Sequence, residues 1–370
     1  MPVMGVPVPV RDLSDEALMD LLCVTSDEVG RGSLEMALDH NDYPFIDTIL
    51  REDRLDLEGG TAITRRIRLD KSGQARWVDP WEPDDPRQVD TVYPFTMPWK
   101  YLQTQKTYER HQVLMNAGSD QQIYDFVELQ EVSAMEDFCN ELEGAAWSVP
   151  ASPTEKAMWG VPTWICKAVD ATGTGFFGGR PDGGTAWADV AGIAPCTSDD
   201  GTSSIAGGKA RWRNYCAPYT AVNTTLLKTI RTAFKRIRFR APPMISKAFE
   251  KGSPYENFRI YTNVNTSVLL EELAEKRGDR YGANLMLYEG AVVFNRVPIV
   301  GIDWLDADTS DPIYMVNRTF FKAIVLAGDY LRKSKIYNEA NQHNVYRQYT
   351  DLTVQTGCTN RQRQAVINKV

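Results

Sequence analysis

An unbroken helical period over residues 119–146 constrains this chain more than any other feature. Ile123, Phe126, Val127, Met135, Phe138 and Leu142 fall at the spacing of one helical face. Ser119 and Gln122 make a capping box at its start, and Gly144 and Pro150 mark its end. At ~1.5 Å per residue this helix is about 40 Å long, well beyond the average of ~11–12 residues. It predicts a rod across an elongated subunit. With 370 residues and 43% hydrophobic content, the chain can bury a substantial core in two or three domain-sized units.

Ahead of the helix, Ile63, Ile67 and Leu69 alternate with Thr64, Arg66 and Arg68, the pattern of a half-buried strand. Lys71-Ser72-Gly73 supplies a turn. A return strand is expected through Ala75, Trp77 and Val78, running into the proline-broken acidic tract at 79–86. The stretch from Ile63 to about Tyr108 therefore reads as a long projecting β-loop, and a projection of that length usually touches something outside its own domain. At the N-terminus, Pro2, Pro7 and Pro9 among valines favour an extended arm, interrupted by a short helix that Ser14 can cap.

Residues 150–218 are rich in glycine, proline and tryptophan and predict loops and short strands. A second helix over 224–237 buries Leu226, Leu227, Ile230, Phe234 and Ile237 and turns Lys228, Arg231, Lys235 and Arg238 outward, until Pro242-Pro243 stop the chain. A third helix is expected over 267–276, with strands near 285–288, 291–295 and 314–316. The final strand, 344–358, carries Tyr346, Leu352, Val354 and Cys358 on one parity.

Charge and motif argue against most chemistry. Lys and Arg total 41 against 49 Asp and Glu, and a net −8 opposes any role that neutralises phosphates over a broad surface. The six cysteines are widely spaced without a CxxC pair, as for reduced core thiols. Residues 1–10 lack the plan of a signal peptide, and no window approaches ~18 apolar residues, so no membrane association is expected. Gly173, Gly175 and Gly178 match the dinucleotide fingerprint in spacing, but the following Gly-Arg-Pro-Asp-Gly-Gly cannot start the helix that would hold a pyrophosphate, and a surface loop is the simpler expectation. Asp303, Asp306 and Asp308 lack calcium-loop spacing, and His40, His111 and His343 lack zinc spacing. Arg277-Gly278-Asp279 spells an adhesion tripeptide where a helix would end and carries no weight. Glu128, Glu131, Glu136 and Asp137 could serve an acid–base hydrolase, but they more simply form the solvated or interface face of the long helix. No catalytic, cofactor-binding or metal-ligating residue is assigned.

Several segments, in order, resemble the major capsid proteins of tailed bacteriophages, which share the Hong Kong 97-type fold. They are the arm, the β-loop, the long helix, Phe176-Phe177-Gly178-Gly179-Arg180-Pro181, Ala210-Arg211-Trp212-Arg213-Asn214-Tyr215 and Phe239-Arg240-Ala241-Pro242. The closing segments Gly290-Ala291-Val292-Val293-Phe294, Asp311-Pro312-Ile313-Tyr314, Asn341-Gln342-His343 and Asn360-Arg361-Gln362-Arg363-Gln364-Ala365-Val366 are similar too. The resemblance implies an α+β fold: an N-terminal arm over 1–60, an extended β-hairpin E-loop region over 61–117, a peripheral P-domain with a spine helix over 118–220, an axial A-domain over 221–331, and a return to the P-domain over 332–370.

It further implies a non-enzymatic coat subunit that assembles through hexamers and pentamers into an icosahedral head, built in the host cytoplasm and ending in the virion. Its partners would be copies of itself, a portal, and packaged double-stranded DNA met without sequence-specific contacts. Because only about sixty residues precede the β-loop, less than a cleaved scaffolding region of ordinary domain length, a separate scaffolding protein is expected. Whether a decoration protein clamps the shell stays open. The candidate intersubunit contacts are Arg65, Arg66, Arg68, Lys71, Trp77, Asp84 and Asp85 on the β-loop, and Lys228, Arg231, Lys235 and Arg238 on the second helix. Lys71 stands where some relatives cross-link, but no partner asparagine is identifiable and no bond is predicted. An encapsulin-like compartment shell is the nearest alternative, and a tail or connector component a further one.

Overall fold

The computed structural model describes residues 42–70, 72–79, 81, 89–111, 120–167, 174–181, 187–195, 207–238, 258–275, 285–288, 291–339 and 342–370. Described residues fall into two compact units. Unit 1 holds Tyr101–Leu142 and Val325–Thr353, and unit 2 holds Asp42–Lys100, Glu143–Ile324 and Val354–Val370. None of the described helices is long and apolar enough to cross a membrane.

In chain order the strands begin with β1 (Leu55–Leu57), β2 (Ile63–Arg68), β3 (Val92–Met97) and β4 (Lys100–Glu109), followed by the long helix α1 (Asp120–Trp147). A single turn, α2 (Val161–Trp164), precedes β5 (Gly175–Phe177) and β6 (Asn214–Tyr219). Helix α3 (Thr224–Ile237), β7 (Phe258–Thr262) and helix α4 (Val264–Glu275) follow, then β8 (Leu285–Tyr288), β9 (Ala291–Phe294), β10 (Val297–Gly301), β11 (Ile313–Asn317) and β12 (Phe321–Leu326). The chain closes with β13 (Arg332–Lys333), β14 (Tyr337–Glu339), β15 (Gln342–Cys358) and β16 (Ala365–Lys369).

Unit 2 is built on an eight-stranded mixed sheet in the order β5-β6-β16-β11-β7-β10-β9-β8. The last strand of the chain sits inside it, parallel to β6 from Ala365↔Tyr215 to Lys369↔Tyr219 and antiparallel to β11. Helix α3 covers the sheet because its apolar residues obey one helical face: Leu226, Leu227, Ile230, Ala233, Phe234 and Ile237 are all buried against Phe258, Ile260, Phe294 and Ile367. It starts where Asn223 Oδ1 accepts from the Thr225 and Leu226 amides, at 2.9 and 3.2 Å, satisfying two donors that a helix start otherwise leaves bare.

The glycine- and proline-rich stretch expected as loops contains a second core. Trp159, Trp164, Trp187 and Trp212 are buried and stack edge-on or tilted, with Trp159 5.3 Å from Trp187 and Phe95 5.5 Å from Trp164. Two of the indole nitrogens have acceptors, Trp164 donating to Thr356 Oγ1 at 2.8 Å and Trp187 to the Pro150 carbonyl at 3.0 Å, whereas those of Trp159 and Trp212 have none. The fingerprint glycine Gly175 lies in strand β5, paired with Cys216, so it belongs to the sheet and not to the expected surface loop.

In unit 1, β13 and β14 pair antiparallel with β15, Arg332 opposite Asp351 and Tyr337 opposite Arg347, and β4 also pairs with β15. Burial along β15 alternates from Tyr346 to Leu352, then becomes continuous through Cys358, the change expected where a strand passes from one covered face to two. Helix α1 buries Val127, Phe138 and Leu142 as the periodicity predicts, while Met135 is half-buried and Glu131, Ala134 and Ala146 complete the buried stripe at intervals of three and four.

Candidate functional site

The expected hairpin exists, but with a different return strand. β2 pairs antiparallel with β3, from Ile63↔Met97 to Arg68↔Val92, whereas residues 72–79 carry no strand. Ile63, Phe95 and Met97 are buried at one end of this ribbon. At the other end the Tyr93 hydroxyl donates to Asp70 Oδ2 at 2.6 Å, with Lys209 Nζ 4.0 Å above the Tyr93 ring. The two-stranded ribbon joins no other described sheet.

Between its strands the chain exposes Trp77 at 102% and Trp81 at 96%, flanked by Val78 and Val89, both also exposed. An indole offers ~150–250 Å², so full cover at ~25 cal/mol per Å² stabilises by about 4–6 kcal/mol per tryptophan as an upper bound. Arg66 and Arg68 point to solvent on the ribbon, while Arg65 is half-buried and lines a recess of about 200 Å³ with Phe95, Lys322, Ile324 and Gly357. Lys71, Asp84 and Asp85 lie outside the described residues.

Helix α3 carries the other predicted contacts. Lys228 and Lys235 are exposed, Arg231 and Arg238 half-buried, and the Arg238 guanidinium lies 5.4 Å from the Phe234 ring. No acidic residue occurs over 224–238, so this face is uniformly cationic in a chain of net −8.

Three groups of charged side chains, whose pairings the sequence did not reveal, tie together segments distant in the chain. In unit 1, Glu131 is not the solvated residue expected of α1: it is 8% exposed, with Lys106 Nζ 2.5 Å from one carboxylate oxygen and Lys333 Nζ 2.6 Å from the other. Burial alone would raise its pKa, but the two ammonium groups outweigh that and hold it below the ordinary range. Lys106 is driven the other way, its pKa lowered by burial more than Glu131 restores it. Glu128 is also buried, Glu136 half-buried and Asp137 exposed. Of the four carboxylates weighed for hydrolysis, the helix thus spends one on a lysine pair and buries another.

In unit 2, Arg318 donates from Nη2 to Glu52 Oε2 at 2.5 Å and to the Thr48 carbonyl at 2.9 Å, and pairs with Asp53, which also meets Lys322 Nζ at 2.7 Å. Glu143, fully buried, accepts from the Phe45 and Ile46 amides at 2.9 and 3.2 Å and from Trp147 Nε1 at 2.7 Å. It thereby satisfies the amides that open the helical segment after Pro44. Burial pushes its pKa up to about 7 despite these donors. The sequence hint was a lone acid in the run Leu142-Glu143-Gly144-Ala145-Ala146, four residues before Trp147.

Other candidates resolve into structure. Asp308 pairs with Lys167 and Ser310, and Asp306 Oδ1 accepts from the Val264 amide at 3.0 Å at the start of α4. No cluster of metal-ligating side chains occurs among the described residues. His111 and His343 are exposed. Cys139, Cys166, Cys216 and Cys358 are thiols rather than disulfides, the last three buried as expected. His40, Cys23, Cys196 and the tripeptide at 277–279 lie outside the described residues.

The chain has the mixed α+β fold of a phage capsid subunit. Its structure is similar to a subunit of the Cyanophage A-1(L) capsid, at 12% identity and TM-score 0.58 over 90% of this chain and 95% of that one. The mature capsid of bacteriophage PhiM1 gives 10% identity and TM-score 0.51 over 92% and 90%. The holo-SrpI encapsulin complex from Synechococcus elongatus PCC 7942 gives 9% identity and TM-score 0.51 over 96% and 95%. No family model and no curated protein sequence matches the chain.

Proposed function

We propose that this chain is the major capsid protein of a tailed bacteriophage, a non-enzymatic subunit of an icosahedral head. The observation that carries the reading is a fold shared with a phage capsid subunit over nine-tenths of both chains. On this reading residues 61–117, which carry the β2–β3 ribbon, are the E-loop region, α1 is the spine helix, 221–331 form the axial A-domain, and 118–220 with 332–370 form the P-domain. Residues 1–60 are the arm. The subunit assembles in the host cytoplasm into hexamers and pentamers. It works with a separate scaffolding protein and a portal, and encloses double-stranded DNA without reading its sequence.

The bare tryptophans and the cationic helix support a division of contacts. Trp77 and Trp81, set beside Asp79, Asp84 and Asp85, dock on a neighbour's basic surface, where aromatic faces and acids both meet cations favourably. Arg65, Arg66, Arg68 and Lys71 on the ribbon, and Lys228, Arg231, Lys235 and Arg238 on α3, supply positive surfaces of that kind. Each exposed pair is worth little alone, but one copied through every contact of a shell counts collectively.

Electron microscopy of the purified chain, expressed alone and with its scaffolding partner, tests the reading. Closed shells, or capsomers that close only with the scaffold, are expected; a monodisperse monomer under both conditions refutes it. Arg66→Glu with Arg68→Glu should block closure, and normal particles from that variant would remove the ribbon from the contact. The encapsulin match keeps a compartment shell as the second reading, favoured if one defined protein cargo copurifies in place of DNA.

A further inference from the structure

Arg361 opens the short turn Arg361–Arg363 in unit 2, and its side chain is fully buried. Nε donates to the Trp164 carbonyl at 2.8 Å. Nη2 donates to Cys166 Sγ at 3.0 Å, to Asn214 Oδ1 at 3.1 Å and more weakly to the Gly179 carbonyl at 3.4 Å. The Trp212 ring lies 5.4 Å from the guanidinium carbon. Nη1 has no hydrogen-bond partner, and no carboxylate among the described residues pairs with this cation.

A guanidinium does not give up its proton inside a protein. Leaving such a charge buried without an anion is costly, so buried cations ordinarily sit beside one. Every other group touching Arg361 is neutral: two carbonyls, one amide and an indole face. Cys166 Sγ is the one atom in that shell that can become an anion. The neighbouring acids hold their protons for stated reasons. Cys216 Sγ donates to the Cys166 carbonyl at 3.1 Å, a closer contact than the 3.5 Å between Cys166 Sγ and the Thr163 carbonyl, and burial pushes Cys358 up to about 12 and Tyr314 well above its ordinary value.

We propose that Cys166 is carried as a thiolate, the counter-ion of Arg361, forming a buried ion pair inside the tryptophan core. The pair joins α2, β6 and the turn before β16, three segments far apart in the chain. A thiolate rather than a thiol is the nucleophile and soft ligand, so Cys166 is the sulfur on which an electrophile entering this core would act.

Infrared difference spectroscopy of the S–H stretching region, on the full chain in reducing buffer at neutral pH, tests this without requiring access to the core. Cys216→Ala should remove one thiol band and so calibrate the intensity. Cys166→Ala should remove none. Arg361→Met, which deletes the cation, should gain one band as Cys166 takes up a proton. Loss of a full band in Cys166→Ala overturns the proposal. If Arg361→Met does not fold, the comparison of the two alanine variants decides alone.

Discussion

Glu143→Gln isolates the one fully buried carboxyl that opens the helical segment after Pro44. In the folded chain this group titrates at about 7, against about 4.5 when exposed. The folded state therefore holds a proton that the unfolded chain has lost between roughly pH 4.5 and 7. Stability is then greatest below that window and falls as pH rises through it. At 1.36 kcal/mol per pH unit the loss amounts to roughly 3 kcal/mol by pH 8. Glutamine cannot ionise, so its contribution is flat. Its amide oxygen can keep the Phe45 amide and Trp147 indole donors that Oε1 accepts, but its NH₂ then faces the Ile46 amide, at a cost of about 1–3 kcal/mol at every pH. The expected result is a variant less stable than wild type near pH 5, with the gap closing or reversing by pH 8. Urea unfolding of dissociated subunits, followed by tryptophan fluorescence across that range, gives the difference and cancels other titrating groups. Parallel profiles for the two proteins would refute the reasoning, because they would mean that Glu143 is ionised throughout.

The two lysines on Glu131 should differ in weight. Lys106→Met, at the 3%-exposed partner, is expected to cost about 3 kcal/mol in thermal unfolding, and Lys333→Met, at the 32%-exposed one, about 1 kcal/mol. Equal losses would show that burial does not set the strength of these bonds. Gly160→Ala would place a Cβ 2.3 Å from the Ser148 carbonyl oxygen and 2.6 Å from those of Ala145 and Ala146, all backbone atoms. A loss of about 3 kcal/mol or more, or no folded protein at all, is expected by circular dichroism. Trp77→Ser combined with Trp81→Ser removes no packed contact and should leave subunit unfolding within about 0.5 kcal/mol of wild type. The same variant should yield no closed particles in sedimentation, which separates a role in assembly from one in folding.

What the sequence made legible followed from periodicity and caps. Helix α1 was expected over 119–146 and spans Asp120–Trp147; α3 was expected over 224–237 and has those limits, because an Asn cap and a clean apolar stripe act locally. The return strand of the ribbon failed for the opposite reason. Residues 75–78 and 92–97 both carry strand-forming side chains, and local pattern cannot tell which partner β2 will take. Burial decides: Phe95 and Met97 reach a core, while Trp77 and Trp81 are fully exposed among the described residues. Glu131 shows the same limit at one residue. Its charge points to the solvated or interface face of α1, and only the fold brings Lys106 and Lys333 to its two oxygens. β16 shows it for a whole strand, since its parallel pairing with β6 is set by the eight-stranded sheet and not by any pattern within five residues. The tryptophan core follows the same rule, because its four rings come from a stretch with no period and meet only when the chain is folded. Trp77 could still be chosen in advance, since a large apolar side chain beside a proline-broken acidic tract has no core within reach. Exposure is thus more legible here than the pairing of buried charges. An exposed residue is defined by what its local sequence cannot supply, a buried charge by partners that only the fold provides.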